Sequence, residues 1–112
     1  MEPLVSLWKA PQYGTARRLL ENGFSANDYP GFPGEIPDGR AYFAAQLELA
    51  KEYAVCYGDG IIEVRILKDD FERHFKRFEI PYQNTGFVQI AIPNGSLALL
   101  NALTVERNFH NA

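Results

Sequence analysis

The chain holds 112 residues, 46% of them hydrophobic and 22% charged, a length and balance that suit one folded domain over residues 1–112 and exclude a low-complexity chain. Fourteen acidic against eleven basic side chains leave a net charge of −3, so no broad cationic surface awaits a nucleic-acid backbone. The local clusters Arg17-Arg18 and Lys68 through Arg77 suffice for a small anionic ligand.

From the start, Met-Glu-Pro-Leu-Val-Ser-Leu-Trp-Lys lacks the charged and apolar regions of a signal peptide, and no later stretch reaches the ~20 apolar residues of a membrane span. A cytoplasmic setting without a membrane partner is expected. Leu4 to Trp8 reads as a first strand. Gln12 to Glu21 reads as a helix with Ala16, Leu19 and Leu20 inward, stopped by Asn22-Gly23. Ser25 to Arg40, with Pro30, Pro33 and Pro37, is a long loop of the kind that carries function in small domains. Ala41 to Ala44 is a brief strand, and Gln46 to Tyr57 a helix with Leu47, Ala50, Tyr53 and Ala54 on its apolar stripe. Cys56, the single cysteine, cannot form an internal disulfide, and its neighbours Ala54, Val55 and Tyr57 predict a buried, unreactive thiol. With only two, separated histidines, no metal is expected.

After Gly58-Asp59-Gly60, the β-branched run Ile61 to Leu67 is the clearest strand. Asp69 to Lys76 reads as a short helix and Phe87 to Ile92 as a strand stopped by Pro93-Asn94-Gly95. A helical turn from Ser96 through Leu100 and a last strand from Leu103 to Asn108 complete an α+β pattern without internal repeats.

Three segments stand out along this order. Leu7-Trp8-Lys9-Ala10 ends the first strand. Gly39-Arg40-Ala41-Tyr42-Phe43-Ala44 opens the second, with Tyr53 eleven positions after Tyr42. Thr85-Gly86-Phe87-Val88-Gln89-Ile90-Ala91-Ile92-Pro93 forms the late strand. These segments, in this order of strands and helices, resemble the ADP-ribosyltransferase superfamily over roughly Leu4 to Ile92. The likeness is closest to its His-Tyr-Glu branch, the poly-ADP-ribose polymerase type, and to small toxin domains of bacterial polymorphic systems.

The resemblance implies a compact single domain with a split, mixed β-sheet and short helices around a cleft for NAD. Lys9 stands where the family has His or Arg and Ala10 where it has Gly, a pair that holds a ribose or phosphate and the nicotinamide amide. Tyr42 and Tyr53 match the two rings that sandwich nicotinamide, with Phe43 beside them. Two aromatic faces about 7 Å apart gain roughly 1–2 kcal/mol each on a pyridinium. Gln89 falls where the family carries a catalytic glutamate, so it keeps an acceptor oxygen and loses the charge, with Glu79 or Glu63 as substitutes. Tyr29, Phe32 and Arg40 of the long loop are candidate contacts at the cleft mouth.

The implied activity is transfer of ADP-ribose from NAD to a protein or RNA acceptor, catalysed by Lys9, Tyr42 and Gln89. A toxin used between competing bacteria, with an immunity protein as partner, fits the small size. NAD hydrolysis and a degenerate module that binds NAD or ADP-ribose without turnover are the alternatives. Plain readings also fit each residue: a surface lysine, two core tyrosines, a polar strand position.

Overall fold

The computed structural model describes residues 3–31 and 38–111. In chain order its elements are β1 (Leu4–Lys9), α1 (Ala16–Asn22), β2 (Arg40–Ala44), α2 (Leu47–Tyr57), β3 (Ile61–Leu67), α3 (Lys68–His74), β4 (Glu79–Tyr82), β5 (Phe87–Pro93), α4 (Leu97–Leu103) and β6 (Thr104–His110). Single 3-10 turns occupy Ala26–Asp28, Lys76–Phe78 and Asn94–Ser96. No described helix is long and apolar enough to cross a membrane.

Strand propensity and burial agree best in β3, whose Ile61, Ile62, Val64 and Ile66 are fully or almost fully buried on alternating faces. The strand is sandwiched because helices cover both sides of the sheet there. On one face Leu7, Phe43, Ile62, Ile66, Ile90 and Ile92 pack with Leu19 of α1, Phe71 of α3, and Leu97 and Leu100 of α4. On the other, Leu49, Ala50 and Ala54 of α2 pack on Ala10, Ala44 and Ile61. Small alanines on both partners let α2 approach the sheet closely. It ends at Gly58, which adopts the left-handed conformation and donates its N–H to the Ala54 carbonyl.

All six strands form one sheet in the order β4-β5-β2-β1-β3-β6, and every pairing is antiparallel. This corrects the expectation of a mixed sheet. Yet β1 and β2 meet in register only at Trp8 and Ala44, whereas β1 and β3 are paired along the whole strand. The sheet is therefore two three-stranded halves joined at one residue pair.

Helix α1 begins at Ala16 rather than Gln12, because Thr15 turns back onto the Gln12 carbonyl through both its N–H and its hydroxyl. The free N–H of Ala16 donates to Asp59 Oδ2 at 2.9 Å. Cys56 is exposed, which corrects the expected buried thiol. The helical period that turns Ala50 and Ala54 inward points Cys56 and Val55, itself 85% exposed, outward.

Candidate functional site

Beyond the Trp8–Ala44 pair the two central strands diverge, and two adjoining cavities open beside the residues that follow. Their volumes are about 280 and 220 Å³, and both are lined by Lys9, Ala10, Tyr42 and Tyr57. Tyr53 and Gln89 complete the first lobe. The second extends toward Arg18, Asp28, Tyr29 and Arg40.

Lys9 stands at the divide. Its ammonium donates to the Tyr42 carbonyl at 3.0 Å, a carbonyl freed by the parting of β1 and β2, and lies 5.3 Å from the Tyr29 ring centre and 5.9 Å from that of Phe43. Among the described residues no carboxylate comes within ion-pair distance of it. Burial lowers its pKa from 10.5 to about 8. A half-buried cation with only a carbonyl and aromatic faces for partners is costly to the fold, and cavities with such groups are ligand-site candidates.

In the first lobe Tyr42 comes from β2 and Tyr53 from α2. The Tyr42 hydroxyl donates to Asp38, and that bond, with burial, raises its pKa. Burial also raises the Tyr53 pKa, against a hydrogen bond in which Gln89 Nε2 donates to the Tyr53 hydroxyl. The Tyr53 ring stands edge-on to Tyr82, 5.9 Å between centres. A brace sets the distance between α2 and β5: the Val88 N–H donates to Gln46 Oε1 at 3.0 Å, just ahead of the helix and next to Gln89.

Five of the residues singled out in the sequence, Lys9, Ala10, Tyr42, Tyr53 and Gln89, thus line one lobe. Phe43 does not line it. Alternation along β2 turns its ring to the opposite face, where it is fully buried edge-on to Phe24, and it reaches the site only as an aromatic floor under Lys9. Tyr29 of the loop and Arg40, the first residue of β2, line the second lobe, and burial pushes the Tyr29 pKa up to about 12. Phe32 lies outside the described residues.

Neither substitute carboxylate reaches the first lobe. Glu63 sits in register with Gln89 through Trp8 and Ala44, but three strands away, about 14 Å at ordinary strand spacing. It is 2% exposed and fully engaged: Ser6, Arg65, Asn108 and His110 surround its oxygens, and the Trp8 ring packs at a tilt against His110, 5.3 Å between centres. Burial alone raises its pKa, but the bonds from Ser6, Arg65 and His110 outweigh it and hold the group at about 2. Glu79 is exposed on the edge strand β4, beside Arg40 and Arg77 in a separate hollow.

The sequence reading omits Tyr57 from the site and names Arg18 only within the Arg17-Arg18 cluster suited to a small anionic ligand, without a place in the cleft. Tyr57 lies one helical turn after Tyr53, so the i, i+4 spacing on α2 carries a readable signal. Arg18 joins the cleft only through the packing of α1, which no local pattern announces. In comparison with known proteins, the chain matches no protein-family model, and no curated protein matches it in sequence.

Proposed function

We propose that the cleft binds NAD and that the chain is an ADP-ribosyltransferase-type domain acting on a protein or RNA acceptor, in the manner of a small bacterial toxin. The observation that carries this reading is the meeting of Lys9, Ala10, Tyr42, Tyr53 and Gln89 around one cavity, although they lie far apart in sequence. Nicotinamide suits the lobe between Tyr42 and Tyr53, because a flat pyridinium gains from aromatic walls and a polar rim. The phosphates suit the second lobe, where Lys9, Arg18 and Arg40 gather three positive charges.

In transfer, the bond between nicotinamide nitrogen and ribose breaks with its electron pair going to nicotinamide, and the acceptor's nucleophile takes its place on the ribose carbon. Gln89 offers an amide oxygen to a ribose hydroxyl while its nitrogen stays on Tyr53. It has no charge to set against the cation that develops on the sugar.

That deficit favours a second reading, a domain that binds NAD or ADP-ribose with little turnover. Among the described residues no carboxylate lines the first lobe. Incubation with NAD separates the readings. Nicotinamide released only with cell lysate supports transfer, release without an acceptor supports hydrolysis, and calorimetric binding without release supports the binding module. No binding at all removes the NAD reading.

A further inference from the structure

The second lobe is closed on one side by an ion pair. The Arg18 guanidinium donates to both oxygens of Asp28, at 2.9 and 3.2 Å. Arg18 comes from α1, whereas Asp28 ends the 3-10 turn Ala26–Asp28 at the start of the long loop, and both line the lobe. The next residue, Tyr29, packs against the Lys9 ammonium. Among the described residues, Lys9 and Arg40 have no carboxylate in ion-pair range, and Asp28 is the carboxylate that lines the lobe beside the three cations, while Asp38 is held by the Tyr42 hydroxyl and the Arg40 backbone N–H.

Arginine presents carboxylate and phosphate with the same two-point fork. Asp28 therefore fills the donors that a phosphate in this lobe would use. Both partners are substantially exposed, with side chains 47% and 31% accessible, so separating them is a small step in which water replaces the lost bonds. Lys9 is different, because nothing in the described protein neutralises it.

We propose that Asp28 is an internal counter-ion that holds Arg18 in the ligand-free protein and gives up its fork to the diphosphate of a nucleoside diphosphate seated against Lys9 and Arg40. Asp28 then sets the affinity of the lobe by competition, and its release carries the Ala26–Asp28 turn away from α1. This rests on the cleft being a dinucleotide site, but it concerns the phosphate lobe alone and is testable without nicotinamide.

The experiment is a calorimetric titration of ADP into the wild-type chain, Asp28→Asn, Arg18→Ala and the double variant, with thermal melts to verify folding of each. Asp28→Asn is expected to tighten ADP binding about two- to fivefold, the worth of an exposed ion pair. Arg18→Ala weakens it, and in the Arg18→Ala background Asp28→Asn has no further benefit from a released fork. Arg18→Lys, which keeps the charge without the fork, recovers only part of the loss.

The proposal is overturned if Asp28→Asn weakens ADP binding, if its gain survives without Arg18, or if the wild-type chain binds no ADP. ADP binding with the expected response but no binding of NAD leaves this inference standing and removes the proposed function. Nicotinamide release that ignores Asp28→Asn, with ADP affinity equally unmoved, does the reverse.

Discussion

Lys9 opposes stability while lining both lobes of the cleft. Unfolded, its amine has the ordinary pKa of 10.5, and folded about 8, so between these values the unfolded chain holds the proton more tightly. Lys9 therefore costs stability at neutral pH, and the cost fades as pH rises from 8 to 10.5. Lys9→Met should raise unfolding free energy at pH 7 by about 1–3 kcal/mol and flatten its rise toward pH 10, as denaturant titrations at the two pH values will read. The same variant should lose NAD affinity by roughly ten- to hundredfold, and an unchanged titration would remove Lys9 from the site. Glu63 has the opposite sign. Its pKa falls from 4.5 to about 2 on folding, so its contribution is complete above pH 4.5 and is lost as pH drops through 2. Glu63→Gln should cost about 2–4 kcal/mol and remove much of the acid sensitivity in that window, without altering ligand affinity, because Glu63 ties β1, β3 and β6 together away from the cleft. Gln89→Glu tests chemistry instead. Tyr53 can turn its hydroxyl to donate to the new carboxylate, so the exchange is nearly isosteric. Nicotinamide release should rise about 10²-fold or more, the usual worth of one preorganised charge, and an unaltered rate would put the catalytic group elsewhere.

At the scale of elements, the described ends of the long loop show how a connection between elements positions a site. Its two ends are brought together at Gly39, whose N–H donates to the Pro30 carbonyl at 3.1 Å while its own carbonyl accepts from Asn94 N–H at 2.8 Å. Asn94 Nδ2 also donates to the Tyr29 carbonyl at 2.9 Å, fixing the residue that faces Lys9. Gly39 has a φ of +73°, and a Cβ there would lie 2.6 Å from the Gly31 carbonyl oxygen. Gly39→Ala should cost about 1–3 kcal/mol and weaken ADP binding although no ligand contact is removed. A variant that melts and binds like the wild type would uncouple the loop from the cleft. Legibility followed the strength of local signals. β3 and α2 were readable because β-branched runs, helical stripes and Gly58 coincide with what packing demands. β4 was not, since Glu79-Ile80-Pro81-Tyr82 carries a proline and only two apolar side chains, a composition tolerated because β4 is an edge. In the cleft, Tyr42, Tyr53, Lys9 and Gln89 were readable from spacing within a resemblance. Arg18 was readable as half of a basic pair but not as a cleft residue, because its place depends on the angle at which α1 meets the sheet. The outward turn of Cys56 was available in the helical period and was masked by its apolar neighbours.

The whole molecule raises the question of what keeps its two half-sheets together, since the ladder between them is a single pair. A few backbone hydrogen bonds at such a junction are worth about 1 kcal/mol each, too little to couple the halves. The side-chain core does more. Leu7, Ile62, Val64 and Ile66 from one half interlock with Ala41, Phe43, Ile90 and Ile92 from the other, under a lid made of α1, α3 and α4. Separating them would expose apolar surface worth on the order of 10 kcal/mol, comparable to the whole stability of a domain this size. The cleft can therefore open where β1 and β2 part, with α1 on one side and α2 on the other, while the shared core holds both halves as one cooperative unit. Trp8, the single tryptophan, sits at the joining pair and reports on it directly. Its fluorescence transition in denaturant should coincide with the loss of far-ultraviolet circular dichroism, with one midpoint and one slope for both. A Trp8 transition at lower denaturant would mean that the halves part before either unfolds, and that the shared core is weaker than its burial implies. If NAD binds as proposed, it should raise both midpoints together, because a ligand against Lys9 and Tyr42 on the two sides of the junction would stabilise the joined form alone. If NAD instead moves the Trp8 transition and leaves the circular dichroism where it was, the junction responds to ligand as an independent hinge.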